Sequence, residues 1–175
     1  MSISLYQASV PVLLRGLENL EAVLRKALAH AAEKQLDPAT LVSARLAPDM
    51  FALSGQVQNA CDAAKFGAAR LAGLTPPSFP DNETTFDELF ARIAKTVEFI
   101  KSVDIALIDG QDERDIHLKM RGNPVVLKAV PYLFGFVLPN FFFHVTTAYG
   151  ILRHYGVPLG KTDYLGSPTQ AATAV

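Results

Sequence analysis

The chain has 175 residues, half of them hydrophobic, with 16 basic against 17 acidic side chains and a formal net charge of −1. That length suits one domain with a substantial core, and the balanced, interspersed charge speaks against a nucleic-acid partner. Cys61 is the only cysteine, so no intrachain disulfide forms and nothing points to an oxidising compartment. The N-terminal MSISLYQASV has neither a basic leader nor an apolar signal core. The most apolar stretch, Val125 to Val137, is broken by Lys128, Pro131 and Gly135 and is too short to span a bilayer. The expectation is a cytoplasmic protein without a membrane partner.

In chain order, residues 4–33 carry the first helical pattern. Leu5, Val12, Leu13, Leu17, Leu20, Val23, Leu24, Ala27 and Leu28 recur at spacings of three and four. Pro11 falls inside it and predicts a kink or a late start, with Ser9 or Val10 as the entry. Asp37-Pro38 reads as an N-cap and first-turn proline of a short helix. Pro48 and Asp49 are expected to open a second long helix that ends at Gly73. Its many small residues (Gly55, Ala60, Ala63, Ala64, Gly67, Ala68, Ala69) let a neighbour approach closely. Thr85 and Glu88 form a capping box for a third helix with Phe86, Leu89, Phe90, Ile93, Val97 and Ile100 in its stripe. Asp104 to Ile108 adds a further turn. Ile116, Leu118 and Met120 then alternate with polar neighbours, Arg121 to Pro124 reads as a turn, and Val125 to Leu127 follow, which predicts a small β-hairpin. Pro131 to Leu138 reads as a helical lead-in.

The last long helix is predicted over Pro139 to Gly156, PNFFFHVTTAYGILRHYG, about 25 Å long. Pro139 suits its first turn, and Gly156 followed by Pro158 stops it. Asn140 and His144 are four apart and share a face that Thr147, Ala148 and Ile151 continue. An imidazole and a carboxamide facing inward need partners, because an unpaired buried polar group costs about 1–3 kcal/mol.

Four long helices with one hairpin describe an all-α bundle. The pattern resembles the DinB/YfiT-like superfamily of metalloenzymes. The segments LPNFFFHVTTAYGILRHYGVPLGKTDYLG and PDMFALSGQVQNACDAAKFGAARLAG are similar to a branch of it of unknown function. The resemblance implies a DinB-like four-helix bundle over residues 1–166, and the Gly-, Ser-, Thr- and Ala-rich composition beyond Lys161 predicts a disordered tail over residues 167–175. It also implies a divalent metal held by three histidines, one on the second helix and two on the last, used to activate a small thiol. Matched to those positions, His144 stands at the second histidine of the last-helix pair, Asn140 at the first, and Asn59 near the second-helix position, beside Gln56, Gln58 and Asp62. A carboxamide oxygen is a poor donor to zinc or nickel. The expectation is therefore a degraded metal site without a cofactor, in which His144 bonds Asn140, Asn59 or Asp62. A small-ligand pocket is predicted from Asn59, Asp62, Asn140 and His144, with Tyr149 at its mouth. The alternative is a zinc- or nickel-dependent thiol transferase or isomerase that uses His144 as a ligand. A third possibility is a structural protein with no ligand.

The remaining candidates have plainer expectations. Cys61 lies among small residues with no CxxC and reads as a buried, inert thiol. Asp62 either pairs with Lys65 on the surface or turns inward, where Lys65, His144 or Arg70 would answer its charge. His30 and His154 lie near helix C-termini, His154 where a cation meets the favourable end of the dipole, and His117 points outward on the hairpin. Three consecutive Phe, 141 to 143, point in three directions, so the hairpin or a second subunit must cover one of them, and a homodimer is expected. No phosphate loop, nucleophile elbow or HExxH occurs.

Overall fold

The computed structural model describes residues 3–120 and 122–167. The first helix, α1 (Leu5–Glu33), begins earlier than Pro11 suggests. Ser4 and Gln7 form a reciprocal capping box that satisfies the opening amides. Pro11 therefore sits inside a helix already under way and removes one intrahelical bond. The late entry at Ser9 or Val10 is thereby corrected. Ser9, fully buried, turns its Oγ back onto the Leu5 carbonyl at 2.7 Å.

After α2 (Pro38–Val42), capped by the Asp37 side chain on Ala39 N, the chain turns before α3 (Leu53–Ala72) begins. The expected start at Pro48 is wrong by five residues. Met50 N–H bonds the Ala47 carbonyl, Arg45 donates to the Met50 carbonyl, and Leu53 N–H reaches Ala44. These bonds hold residues 45–52 as a loop. At its far end Gly73 takes φ +71° while Leu74 N–H bonds the Ala69 carbonyl at 2.8 Å. That pair of features is a Schellman stop, which a residue with a Cβ adopts poorly.

Helix α4 (Phe86–Lys101) carries the Thr85–Glu88 capping box, and a 3₁₀ turn, Ile105–Leu107, follows. Strands β1 (Asp115–Met120) and β2 (Asn123–Lys128) pair antiparallel, in register from Asp115 opposite Lys128 to Met120 opposite Asn123. Asn123 and Pro124 thus belong to β2 rather than to the turn, because Gly122 at φ +84° permits a short connection. Ile116 and Leu118 are buried.

The last helix is longer than Pro139 implies. Helix α5 (Ala129–Tyr132) runs through a π turn, Leu133–Val137, into α6 (Leu138–His154) without a break. Leu138 N–H bonds the Leu133 carbonyl five residues back. A wider turn here suits Pro139, which cannot donate a backbone bond and crowds the carbonyl four residues before it. Ala129–His154 is long and apolar enough to cross a bilayer, and in this fold it packs on α3 and α1. Its end is a second Schellman stop, with Gly156 at φ +86° and Val157 N–H on the Leu152 carbonyl. A short α7 (Lys161–Leu165) closes the described chain on α1. The rest of the expected tail, 168–175, lies outside the described residues.

Helix α3 touches α1, α4 and α6, and its small residues explain how. A Cβ on Gly67 would stand 2.5 Å from Val137 Cγ1 of the π turn, closer than two carbon atoms pack. Of the Phe cluster, Phe141 is buried, whereas Phe134 and Phe143 stay more than half exposed.

Candidate functional site

A cavity of about 250 Å³ opens between α3, the π turn with α6, and strand β1. Helix α3 contributes Asn59, Asp62, Phe66 and Arg70; the π-interrupted helix contributes Tyr132, Phe136, Val137 and Asn140; β1 contributes Leu118 and Lys119. The π turn explains how Tyr132 and Asn140 share this wall. Residues eight apart in an unbroken α-helix are offset by about 80°. The extra residue absorbed by one π turn reduces that to about 20°. Arg70 Nη1 donates to the Tyr132 hydroxyl at 3.1 Å, and its guanidinium lies over the Phe66 ring at 5.1 Å. Burial raises the Tyr132 phenol above its ordinary range against the opposing influence of Arg70.

His144 lies one turn beyond Asn140 and outside this lining. Its Nδ1 is 2.8 Å from Gln56 Oε1. Gln56 Nε2 already donates to the Phe51 carbonyl, so Oε1 accepts and Nδ1 carries the hydrogen, and in the neutral ring Nε2 is then the unprotonated nitrogen. Burial lowers the His144 pKa below its ordinary value, in keeping with a neutral ring. The expected partners Asn140, Asn59 and Asp62 are therefore replaced by Gln56. Asn59 Nδ2 instead donates to its own helix, on the Gly55 carbonyl at 2.7 Å.

Asp62 belongs to a charged cluster on the α4 side. It accepts from Lys65 at 2.9 Å and from Arg92 at 3.0 Å. Lys65, which is buried, lies over the Phe66 and Phe79 rings. Of the cations expected to answer Asp62, Lys65 does so, whereas Arg70 turns to Tyr132 and His144 to Gln56. Arg92, buried to 2% exposure, also binds Asp81 and Glu83 and donates to the Pro80 carbonyl, which ties the proline-rich loop to α4. Burial pushes Glu83 up, but hydrogen bonds from Gln58 and Arg92 outweigh it and hold its carboxyl below the usual range. Arg92 was not singled out from sequence. Its signal was position: it stands between Leu89 and Ile93 on the apolar stripe of α4, where a cation has to be paired.

Tyr149 does not reach the cavity. Its hydroxyl is 3.5 Å from the Leu159 carbonyl and its ring packs edge-on against Tyr164. Cys61 is fully buried, and burial pushes its thiol up to about 12, outside the range of a nucleophile at neutral pH.

The donor set does not fit zinc or nickel. It offers one imidazole, two carboxamides and a carboxylate already shared by two cations. Among the described residues no three His, Cys, Asp or Glu gather in a way that would hold a metal.

The family described as "Domain of unknown function (DUF1993)" matches residues 5–165. A crystal structure of a DinB family member protein from Shewanella denitrificans is 41% identical, with a TM-score of 0.85, over 93% of this chain and 92% of that one. No curated protein matches. With its bundle, its hairpin before the last long helix and its cavity between α3 and α6, the chain belongs to the DUF1993 family, a DinB-like branch of helical bundles.

Proposed function

We propose that this protein binds a small polar molecule in the α3–α6 cavity and carries out no metal-dependent transfer. One observation carries the reading. Asn59 and Asn140 line one cavity with Asp62 and Arg70, while the imidazole of His144, one turn beyond Asn140, is bonded to Gln56. Carboxamides in a concave site are hydrogen-bonding groups that orient a neutral or ionic ligand. At about 250 Å³ the cavity lies below the range for drug-sized ligands, which favours a metabolite-sized molecule. Saturation-transfer NMR with a mixture of small acids, amides and polyols tests it. Binding signals that vanish in Asn140→Leu, with the melting temperature kept within a few degrees, are expected. Signals that persist unchanged in the variant, or no signals at all, would refute it.

A second reading has its own observation. An imidazole that donates Nδ1–H to a carbonyl oxygen is oriented as metal-bound histidines commonly are, with Nε2 directed elsewhere. A thiol transferase using His144 would then need donors from beyond this set. Elemental mass spectrometry after incubation with zinc, nickel and manganese decides. Near-stoichiometric metal lost in His144→Ala would establish that reading at the expense of the first.

A further inference from the structure

We infer that the ligand of the α3–α6 cavity is a small monocarboxylate, anchored by Arg70 and read by Tyr132 and Asn140. The inference rests on the ligand-binding reading above and adds the chemical class. Arg70 and Lys119 both line the cavity, and neither makes an ion pair among the described residues. Asp62 brings a negative charge to the same wall, and with Asp81 and Glu83 it shares Lys65 and Arg92, so three carboxylates meet two cations. Arg70 and Lys119 together outweigh the one carboxylate charge left over, and the balance at the cavity wall is positive.

The geometry narrows the anion. Arg70 gives one of its five N–H groups to the Tyr132 hydroxyl, which keeps the guanidinium in place and leaves donors for a planar, two-oxygen group. The Tyr132 oxygen accepts that bond, so its own O–H hydrogen remains to donate. Phe66 and Phe136 also line the cavity, the first under the Arg70 guanidinium and the second stacked on Tyr132, and offer apolar ring surface to the hydrocarbon part of an acid. The Asp62 carboxylate disfavours a dianion such as phosphate in so small a space, whereas a single negative charge is matched by Arg70. The π turn ties the device to the fold, because it aligns Tyr132 and Asn140 on one wall.

Benzoate and benzamide, alike in shape and different in charge, test the assignment by calorimetry at fixed ionic strength. Benzoate is expected to bind saturably, with benzamide at least about tenfold weaker. Arg70→Gln should weaken benzoate about ten- to a hundredfold and leave benzamide unchanged, and Tyr132→Phe should weaken benzoate several-fold with the melting temperature retained. Equal binding of the two probes, or benzoate affinity untouched by Arg70→Gln, would overturn the carboxylate assignment. If neutral compounds still bind in a manner lost on Asn140→Leu while benzoate does not bind, the carboxylate class fails and the ligand-binding reading stands. If nothing binds in a manner sensitive to Asn140→Leu, both fail.

Discussion

Helix α3 carries buried polar groups toward two neighbours, and the two sides solve the same problem differently. Toward α4 the groups are charged and pair with one another: Asp62 with Lys65 and Arg92, Arg92 with Glu83, Glu83 with Gln58. Toward α6 they are neutral: Gln56 on His144, Asn59 on its own backbone, and Asn140 across the cavity. The charged side ties Asp62, Asp81 and Glu83 to Lys65 and Arg92 and anchors the loop before α4, so it is architecture. Amide and imidazole groups leave hydrogen-bonding capacity on the other side, together with the unmatched Arg70. A ligand is to be sought there.

Three experiments break or sharpen that contrast. Arg92→Leu should have the largest effect, a loss of about 3–5 kcal/mol in urea unfolding, because it leaves Asp62 and Glu83 without their shared cation. A loss below about 1 kcal/mol would mean the charged side is dispensable. Gln56→Leu should cost less, about 1–3 kcal/mol, by leaving the buried Nδ1–H of His144 without an acceptor. An unchanged melting temperature would show that the imidazole finds another partner.

The smallest effect is one of pH, and the two sides should separate in it. Burial holds His144 below its ordinary value of 6.5. Below that pH the unfolded chain therefore binds more protons than the folded one, and stability falls as pH drops from about 6.5. Glu83 is also held below its ordinary 4.5, although by hydrogen bonds that outweigh burial. Its contribution, present above 4.5, is lost only as pH falls through the lower folded value. Thermal melts from pH 7.5 down to about 2.5 should show the first decline vanish in His144→Gln and the second survive. An identical profile in the variant would remove His144 as its source.

Much of the bundle was legible in the residues. Capping signals mark ends locally, so Asp37-Pro38, Thr85 with Glu88, Gly73 and Gly156 could be read without knowing the fold. Where local signals misled, a competing bond prevailed. Ser4 and Gln7 opened α1 ahead of Pro11, and the loop bonds of residues 45–52 delayed α3 beyond Pro48. Asn140 was readable from its spacing to His144, whereas Asn59 came only from the family resemblance, and the structure brings both into one cavity. The partner of His144 was not, since spacing along one helix says which face a residue shares but not which residue of the facing helix stands level with it. Arg92 and Tyr132 were missed for related reasons: one pairs through a loop, and the other is brought to the cavity by a π turn that periodicity does not reveal.

The sequence by itself therefore determined the helices, the hairpin and the presence of inward polar groups, because periodicity and capping act within a few residues of chain. Tertiary structure alone decided that Gln56 meets His144, that Arg92 answers Asp62, and that Arg70 and Tyr132 face Asn140 across one cavity. Those pairings depend on the level at which α3 meets α4 and α6, and toward α6 that level is constrained by the close approach at Gly67 and the extra residue of the π turn.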